Sequence, residues 1–392
     1  MDDNNLNHGD KQVDSNFRPV VAGVLMYMLA PLGMTLIPLL VGAAATDLGF
    51  SDTQVGFLAS ADLLGLAVAS VSAAFWIHKI SWRTVGLVSI IILIVGNIFS
   101  SLAKSFEILC LARFVTELGS GGIFSLALVS LGALKKPDRY FAIGIGATIA
   151  LSVGIFLWIP GVIAKTGIGT VFLVHGLMSA LVLPAVAWLN QGQNSSDKHQ
   201  KRDSNASYRG LFVCFAAFSC FTIAEGGVWS YVERIGDAAD LTPAYVGKVL
   251  ATTQFASLAA AIIASVLSTK IGRTLPICFG IGIFILGFFL LLQPDADLYM
   301  IAACLTQFAW IFVLPFLLLM CVELDPSARY YVLTTAFKMG GFSAGPAIVA
   351  LFLGSNGYAL VSWIGIGFLL LCLVLIIPLS LKLDRSRAAK TA

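Results

Sequence analysis

Apolar residues fall into twelve long stretches separated by short polar connections. Few folds tolerate that pattern. A stretch of about 20 apolar residues is the length that crosses the hydrocarbon core of a bilayer as a helix, and in lipid only helices and closed barrels satisfy their own backbone. The expected helical spans are residues 19–45, 54–77, 84–103, 106–132, 140–163, 168–189, 210–232, 244–268, 275–293, 298–322, 330–354 and 358–381. Composition agrees: of 392 residues 58% are hydrophobic and 11% charged, whereas a soluble domain carries about 25% charged residues. The fold class expected is therefore all-α integral membrane, multi-pass. A net charge of +3 is too small to suggest nucleic acid, so only the placement of charge informs.

Seven cysteines (Cys110, Cys214, Cys220, Cys278, Cys304, Cys321 and Cys372) lie in or beside apolar stretches without CxxC spacing. Neither a disulfide framework nor a metal site is expected from them. Residues 1–17 form an acidic, amide-rich tail with no basic region and no small-residue cleavage site. The first span is thus expected to act as an uncleaved insertion signal.

Lysine and arginine set the topology. Eighteen lie in the tails and in alternate connections, from Lys11 and Arg18 through Lys79, Arg83, Lys135, Lys136 and Arg139 to Arg385, Arg387 and Lys390. The other connections hold four: Lys104, Lys165, Arg234 and Lys248. That bias places both termini in the cytoplasm, in the inner membrane if the cell is bacterial. The stretch 191–208 is polar and aperiodic and reads as a cytoplasmic linker. It divides a six-span half at 18–190 from a second at 209–382, with a tail at 383–392. Asn194 and Asn205 match the N-x-[ST] pattern, but on the cytoplasmic side they are not expected to carry sugar.

The two halves repeat. Phe50-Ser51-Asp52-Thr53-Gln54-Val55-Gly56 lies 191 residues before Leu241-Thr242-Pro243-Ala244-Tyr245-Val246-Gly247, and Lys79-Ile80-Ser81 keeps the same offset to Lys270-Ile271-Gly272. Pro137-Asp138-Arg139-Tyr140 has a looser counterpart in Pro326-Ser327-Ala328-Arg329-Tyr330. Such a repeat implies two six-helix bundles related by an axis along the membrane normal. Small residues recur every fourth position in span 2 (Ala61, Gly65, Ala69, Ala73) and span 8 (Thr252, Ala256, Ala260, Ala264). They do so again in span 5 (Ala142, Gly146, Ala150, Gly154) and span 11 (Ala336, Gly340, Ala344). Each set lies on one helix face, where small side chains let backbones approach. These four faces are expected to seal the halves together.

On these residues the chain resembles the major facilitator superfamily. After span 2, where that family reads G-x-L-a-D-R-x-G-R-R, the chain has Ala74-Phe75-Trp76-Ile77-His78-Lys79-Ile80-Ser81-Trp82-Arg83. His78 stands for the usual aspartate and Ser81 for a glycine. The span-4 pattern R-x-x-x-G-x-G-x-G appears as Arg113-Phe114-Val115-Thr116-Glu117-Leu118-Gly119-Ser120-Gly121, with Glu117 in a glycine position. The Gly-Pro-rich span 5 of the family's proton antiporters is absent, although span 11 carries Gly345-Pro346. The resemblance implies a transporter working by alternating access. It also implies a link between Arg113 and proton coupling, and packing of span 2 against span 11.

Five charged residues sit well inside spans: Asp62, Arg113, Glu117, Glu225 and Lys338. A charge at a helix centre costs about 2.5–3.5 kcal/mol on insertion scales, so each is expected to face a cavity or a partner. Asp62 and Lys338 are either one buried ion pair or independent site residues. Arg113 and Glu117, at i and i+4, are either a structural pair or functional. Glu225 has no cation at helical spacing and lies beside Gly226, Gly227, Trp229 and Tyr231. A lone carboxylate in an apolar setting is costly as the anion, which suits a group that binds and releases a proton. Proton-coupling residues are thus expected among Glu225, Asp62, Glu117 and Arg113, and substrate-binding residues among Lys338, Arg113, Trp229, Tyr231, Gln254, Gln307 and Trp310. Asn97 and His175 are further polar groups at similar depth.

Gly341-Phe342-Ser343-Ala344-Gly345 matches the G-x-S-x-G pattern, but that serine is activated only at a strained turn with a positioned base. Neither HExxH nor a phosphate-binding GxxxxGK[ST] occurs. No enzyme activity, cofactor or metal is expected. The partners expected are the lipid bilayer, protons and a small-molecule substrate, with the chain acting as a monomer. The leading expectation is proton symport of a small organic anion; the alternative is proton-antiport efflux of a lipophilic or zwitterionic compound.

Overall fold

The computed structural model describes residues 8–189, 208–267, 272–293, 295–324, 331–354 and 357–391. The tail up to residue 7, the linker at 191–207, Lys270-Ile271 and Pro326–Tyr330 lie outside the described residues. No strand occurs among the residues described. The first half comprises α1 (His8–Leu29), α2 (Leu32–Leu48), α3 (Asp52–Trp76), α4 (Trp82–Leu102), α5 (Phe106–Gly132), α6 (Pro137–Thr166) and α7 (Gly169–Val182). A 3₁₀ turn, Leu183–Trp188, continues α7. The second half comprises α8 (Tyr208–Ala238), α9 (Pro243–Leu267), α10 (Thr274–Leu290), α11 (Ala296–Leu324), α12 (Tyr331–Leu353) and α13 (Ala359–Thr391).

Eleven segments are long and apolar enough to cross a bilayer, and α10 is a shorter apolar helix at the expected place for span 9. The protein is a multi-pass integral membrane protein of two six-span bundles. One refinement concerns span 1. It is a single crossing, Phe17–Leu48, broken at Ala30-Pro31 because proline has no N–H to give the preceding turn and its ring crowds the carbonyl four residues back. The Pro31 carbonyl accepts the Thr35 N–H at 2.9 Å and Thr35 Oγ1 at 3.0 Å, so α2 starts afresh at this turn.

Capping explains where several helices begin. Ser51 Oγ accepts from the Gln54 N–H while the Gln54 side chain accepts from the Ser51 N–H, a reciprocal capping box that starts α3. Ser81 and Ser105 cap α4 and α5 in the same position. Gly49, with φ of +66°, turns the chain out of α2. The outer surface carries exposed Leu102, Leu111, Trp158 and Val374. Water would oppose such exposure, and lipid tails favour it.

The halves meet along α3–α12, α6–α9 and α2–α8, so the helix pairs expected from the small-residue faces do form. The faces themselves behave differently. A Cβ on Gly65 would overlap the Phe114 carbonyl of α5, and one on Gly121 would meet Leu66 and Ala69 of α3. The span-2 stripe therefore seats α3 on α5, within the first half. Gly146, Gly154 and Gly340 have no atom within 4 Å of a Cβ built there. Contact between the halves uses other glycines: Gly56 against Pro346 and Ala350, and Gly247 against Phe156 and Pro160.

These contacts lie toward one face of the bundle, called here the far side, where residues 49–51 and 239–242 turn. The opposite face, where α8 begins and α11 ends, is the tail side. Every hydrogen bond found between the halves among the described residues lies from mid-level to the far side.

Candidate functional site

A cavity of about 420 Å³ lies between the halves, from mid-level toward the tail side. Its first-half wall comes from α1, α2, α5 and α6, including Tyr27, Met34, Phe124 and Ser152. Its second-half wall contains Glu225, Trp229, Gln254, Gln307, Trp310 and Lys338. Six of the sequence-predicted site residues are thus gathered in one space. Helix spacing sets them in pairs, Glu225 and Trp229 one turn apart on α8 and Gln307 and Trp310 one turn apart on α11, and the packing of α8, α9, α11 and α12 brings them to one cavity.

The polar groups are few and specific. Gln307 Nε2 donates to Glu225 Oε1 at 2.6 Å, so Glu225 has a neutral hydrogen-bond partner that its own helix did not reveal. Trp229 Nε1 donates to the Met34 carbonyl of α2 at 3.1 Å, tying the second-half wall to the first. The Trp310 ring stacks on Phe221 with centroids 5.3 Å apart and interplanar angle 14°. Lys338 lies on the wall with no carboxylate within 4 Å among the described residues.

Of the two readings of Asp62 and Lys338, the ion pair does not form. Asp62 faces the interior of the first half, where Arg113 Nε donates to Asp62 Oδ1 at 2.6 Å and Arg113 Nη2 to Glu117 Oε1 at 2.7 Å. The Arg113–Glu117 i, i+4 pair does form. Asn97 Oδ1 accepts from Arg113 Nη1 at 2.9 Å, and the guanidinium lies 5.2 Å from the Phe172 ring centre. His175 Nδ1 is 3.9 Å from Glu117 Oε1. This cluster is fully buried and separate from the main cavity; Arg113, Asp62 and Glu117 do not line the wall that Lys338 lines.

Tyr231 also sits elsewhere than expected. Its hydroxyl donates to the Asp52 carbonyl at 2.7 Å, in a far-side network that sequence reading missed. Tyr358, between α12 and α13, donates to Asp52 Oδ1 at 2.5 Å and accepts from Arg234 Nε at 3.1 Å. Arg234 Nε is itself 3.7 Å from Asp52 Oδ1. Burial is the first cause that holds the Tyr358 phenol above its ordinary range, and its bond to Asp52 adds to it. It therefore remains a donor at neutral pH. Asp52 and Arg234 read as loop charges in the sequence; the only signal was that Asp52 sits in the repeated segment. A second missed network closes the tail side of the second half. Arg273 Nη1 donates to Asp384 at 3.1 Å, the Thr274 N–H donates to Asp384 at 3.0 Å, and Arg273 pairs with Glu323.

The far-side network predicts a measurable closure. Each hydrogen bond is worth about 1 kcal/mol, so losing one shifts an open–closed balance about fivefold. Val246→Cys, at a buried position near the far-side start of α9 in a background without the seven native cysteines, should react slowly with a membrane-impermeant thiol reagent. Adding Tyr358→Phe should speed that reaction severalfold; an unchanged rate would show that the network does not hold the far side shut.

Three comparisons bear on this geometry. The family model described as Major Facilitator Superfamily matches residues 23–340. An uncharacterized MFS-type transporter of Bacillus subtilis (strain 168), YceJ, is 25% identical over 347 residues, covering 84% of this chain and 85% of the relative. Among solved structures, a point mutant of the nucleoside transporter NupG superposes with a TM-score of 0.73 at 12% identity, covering 92% of this chain and 99% of the other. A D-xylose–proton symporter does so with a TM-score of 0.73 at 12% identity, covering 91% and 96%. At that identity the likeness concerns the fold.

Proposed function

Because the chain belongs to the Major Facilitator Superfamily and so moves a solute across a membrane, we propose that it is a proton-coupled symporter of a small organic anion. The carrying observation is Lys338 on the cavity wall, which has no carboxylate within 4 Å among the described residues, while Asp62, one candidate partner, is held by Arg113. A cavity of about 420 Å³ is in the range that takes a small molecule. Trp229, Trp310 and Phe342 supply apolar faces for an organic body. With the tails cytoplasmic, as the lysine and arginine bias implies, the far-side closure leaves the cavity facing inward, and rocking of the halves would expose it outward.

Glu225 gives this reading its coupling. With Glu225 ionised, the wall carries one positive and one negative group; with Glu225 protonated, Lys338 is left alone and the wall suits a carboxylate. Proton and anion then bind cooperatively, and by linkage each raises the other's affinity. Affinity for the anion is expected to rise as pH falls.

The test is thermal stabilisation of the purified protein by small aromatic and aliphatic carboxylates, sugars and lipophilic cations, in mildly acidic and mildly alkaline buffer. A ligand at about 100 times its Kd stabilises by about 2.7 kcal/mol. Carboxylates should stabilise, more strongly in acid, and Lys338→Ala should abolish the effect. Glu225→Gln should keep binding and lose the pH dependence. The second reading, efflux of a lipophilic cation or zwitterion in exchange for protons, is favoured by the same Glu225 among aromatic rings. It predicts the opposite sign: ligand and proton compete for the carboxylate, so stabilisation grows in alkali and is lost in Glu225→Gln.

A further inference from the structure

Two first-half helices that line the cavity carry a proline in their interior, and each proline deprives one backbone carbonyl of its helix donor. In an α-helix a carbonyl accepts from the N–H four residues on, and proline has none to give. Pro38 lies inside α2, four residues after Met34; Pro160 lies inside α6, four residues after Phe156. Both carbonyls meet the second half. Gly247 of α9 sits so close to the Phe156 carbonyl that a Cβ would overlap it. The Met34 carbonyl accepts from Trp229 Nε1 of α8 at 3.1 Å. A donor from the other half thus stands in for the N–H that Pro38 lacks.

This bond is matched on both sides. An indole N–H donates and cannot accept, and a Trp N–H buried in an apolar wall needs a partner as the carbonyl does. Trp229 is buried and Met34 half-buried. The Trp229 ring also meets the Phe156 ring edge-on, with centroids 6.3 Å apart and an interplanar angle of 78°. One side chain of α8 therefore touches both residues that the first-half prolines mark. The other hydrogen bonds found between the halves among the described residues lie at the far-side turn, on Asp52 and Thr53. The Trp229–Met34 bond lies on the wall of the cavity itself.

We propose that Trp229 is a positioning residue of the transport cycle: it supplies the donor that Pro38 withholds from the Met34 carbonyl, and this cross-bond holds α8 to α2 while the far side is shut. Rocking that opens the far side breaks it. The Met34 carbonyl and the indole N–H are then left on the cavity wall, one as acceptor and one as donor for water or solute. Pro38 creates the requirement, because an N–H at that position satisfies the carbonyl inside α2 and makes the cross-bond dispensable. The proposal rests on the alternating-access part of the reading above and needs neither the proton nor the anion.

The thiol reaction of Val246→Cys tests it without substrate. Trp229→Phe keeps an aromatic ring and removes the N–H; it should speed the reaction about fivefold, the shift expected for one lost hydrogen bond. In a Pro38→Ala background the same change should alter the rate by less than about twofold, because the two substitutions act on one bond. Equal factors in the two backgrounds would show that Trp229 does not serve the Met34 carbonyl and would overturn the proposal, as would an unchanged rate in Trp229→Phe. Tyr358→Phe separates this from the wider reading. If it speeds the reaction and Trp229→Phe does not, the cross-bond alone fails; if neither does, the far-side closure fails with it. A second measurement leaves Pro38 in place. In the ¹H–¹⁵N spectrum of the purified protein, the indole resonance that Trp229→Phe removes should exchange its hydrogen slowly with deuterated solvent. Tyr358→Phe should speed that exchange by the same factor as the thiol reaction, since one opening exposes both. Exchange that stays unchanged while the thiol reaction accelerates overturns the proposal, because the indole is then not held by the closure.

Discussion

Arg113→Leu is expected to lower the unfolding free energy of the purified protein by about 3–5 kcal/mol, the cost typical of breaking a buried ion pair by removing one partner. Arg113 makes three side-chain hydrogen bonds inside a region that water does not reach, to Asp62, Asn97 and Glu117. Without it two carboxylates face each other with no cation among the described groups around them, and at least one must take up a proton. The loss should therefore be larger in alkaline than in acidic buffer, since acid neutralises what the guanidinium did. Chemical or thermal unfolding in detergent at the two conditions measures both size and sign. The compensated variant Asp62→Leu/Arg113→Met/Glu117→Leu removes all three charges together and should recover most of the stability, because apolar replacement of a whole buried network is often neutral or favourable. If the single variant costs nothing, the cluster is not the electrostatic core of the first half.

Gly65→Val should destabilise by about 1–3 kcal/mol or more, the range for overpacking a core, because its Cβ would fall on the backbone carbonyl of Phe114, which cannot rotate away. Separation of α3 from α5 is the only relief, and that would disturb the Asp62–Arg113 bond, which joins the same two helices. Gly154→Val, on another of the small-residue faces, has open space around it and should change stability by less than about 0.5 kcal/mol, as surface substitutions do. Melting temperatures of the two variants under one detergent condition decide the matter. Equal effects would mean that small residues at this spacing act through lipid packing rather than helix contact.

The contrast between these glycines marks how far sequence reaches. Hydropathy alone placed all twelve spans, because each must satisfy its own backbone hydrogen bonds in lipid and so declares itself locally. The repeat at 191 residues, tied to Ser51-Asp52 and its counterpart Thr242-Pro243, exposed the two-bundle plan before any contact was known. Residue spacing along single helices also anticipated Arg113–Glu117, which is an i, i+4 pair, and brought Glu225 and Trp229 to one face. Spacing on one helix cannot say which neighbour that face meets. Gly65 faces α5 and Gly56 faces α12, although both are small residues of α3, because the crossing point of two helices is set by the whole bundle.

The same holds for charge. That Asp62, Arg113, Glu117, Glu225 and Lys338 needed partners or a cavity followed from the cost of charge in lipid, a property of each residue alone. Which partner each would take depended on rotation of α3 about its axis. That rotation carried Asp62 into the first half, onto Arg113, and left Lys338 without it on the cavity wall. Gln307 is 82 residues from Glu225 and meets it only because α11 packs beside α8. The local periodicity of the chain determines that it spans the membrane twelve times in two matching halves. Only the packing of helices distant in sequence, through rotations and crossings that no local pattern encodes, decides which buried charges are spent on each other and which remain for a solute.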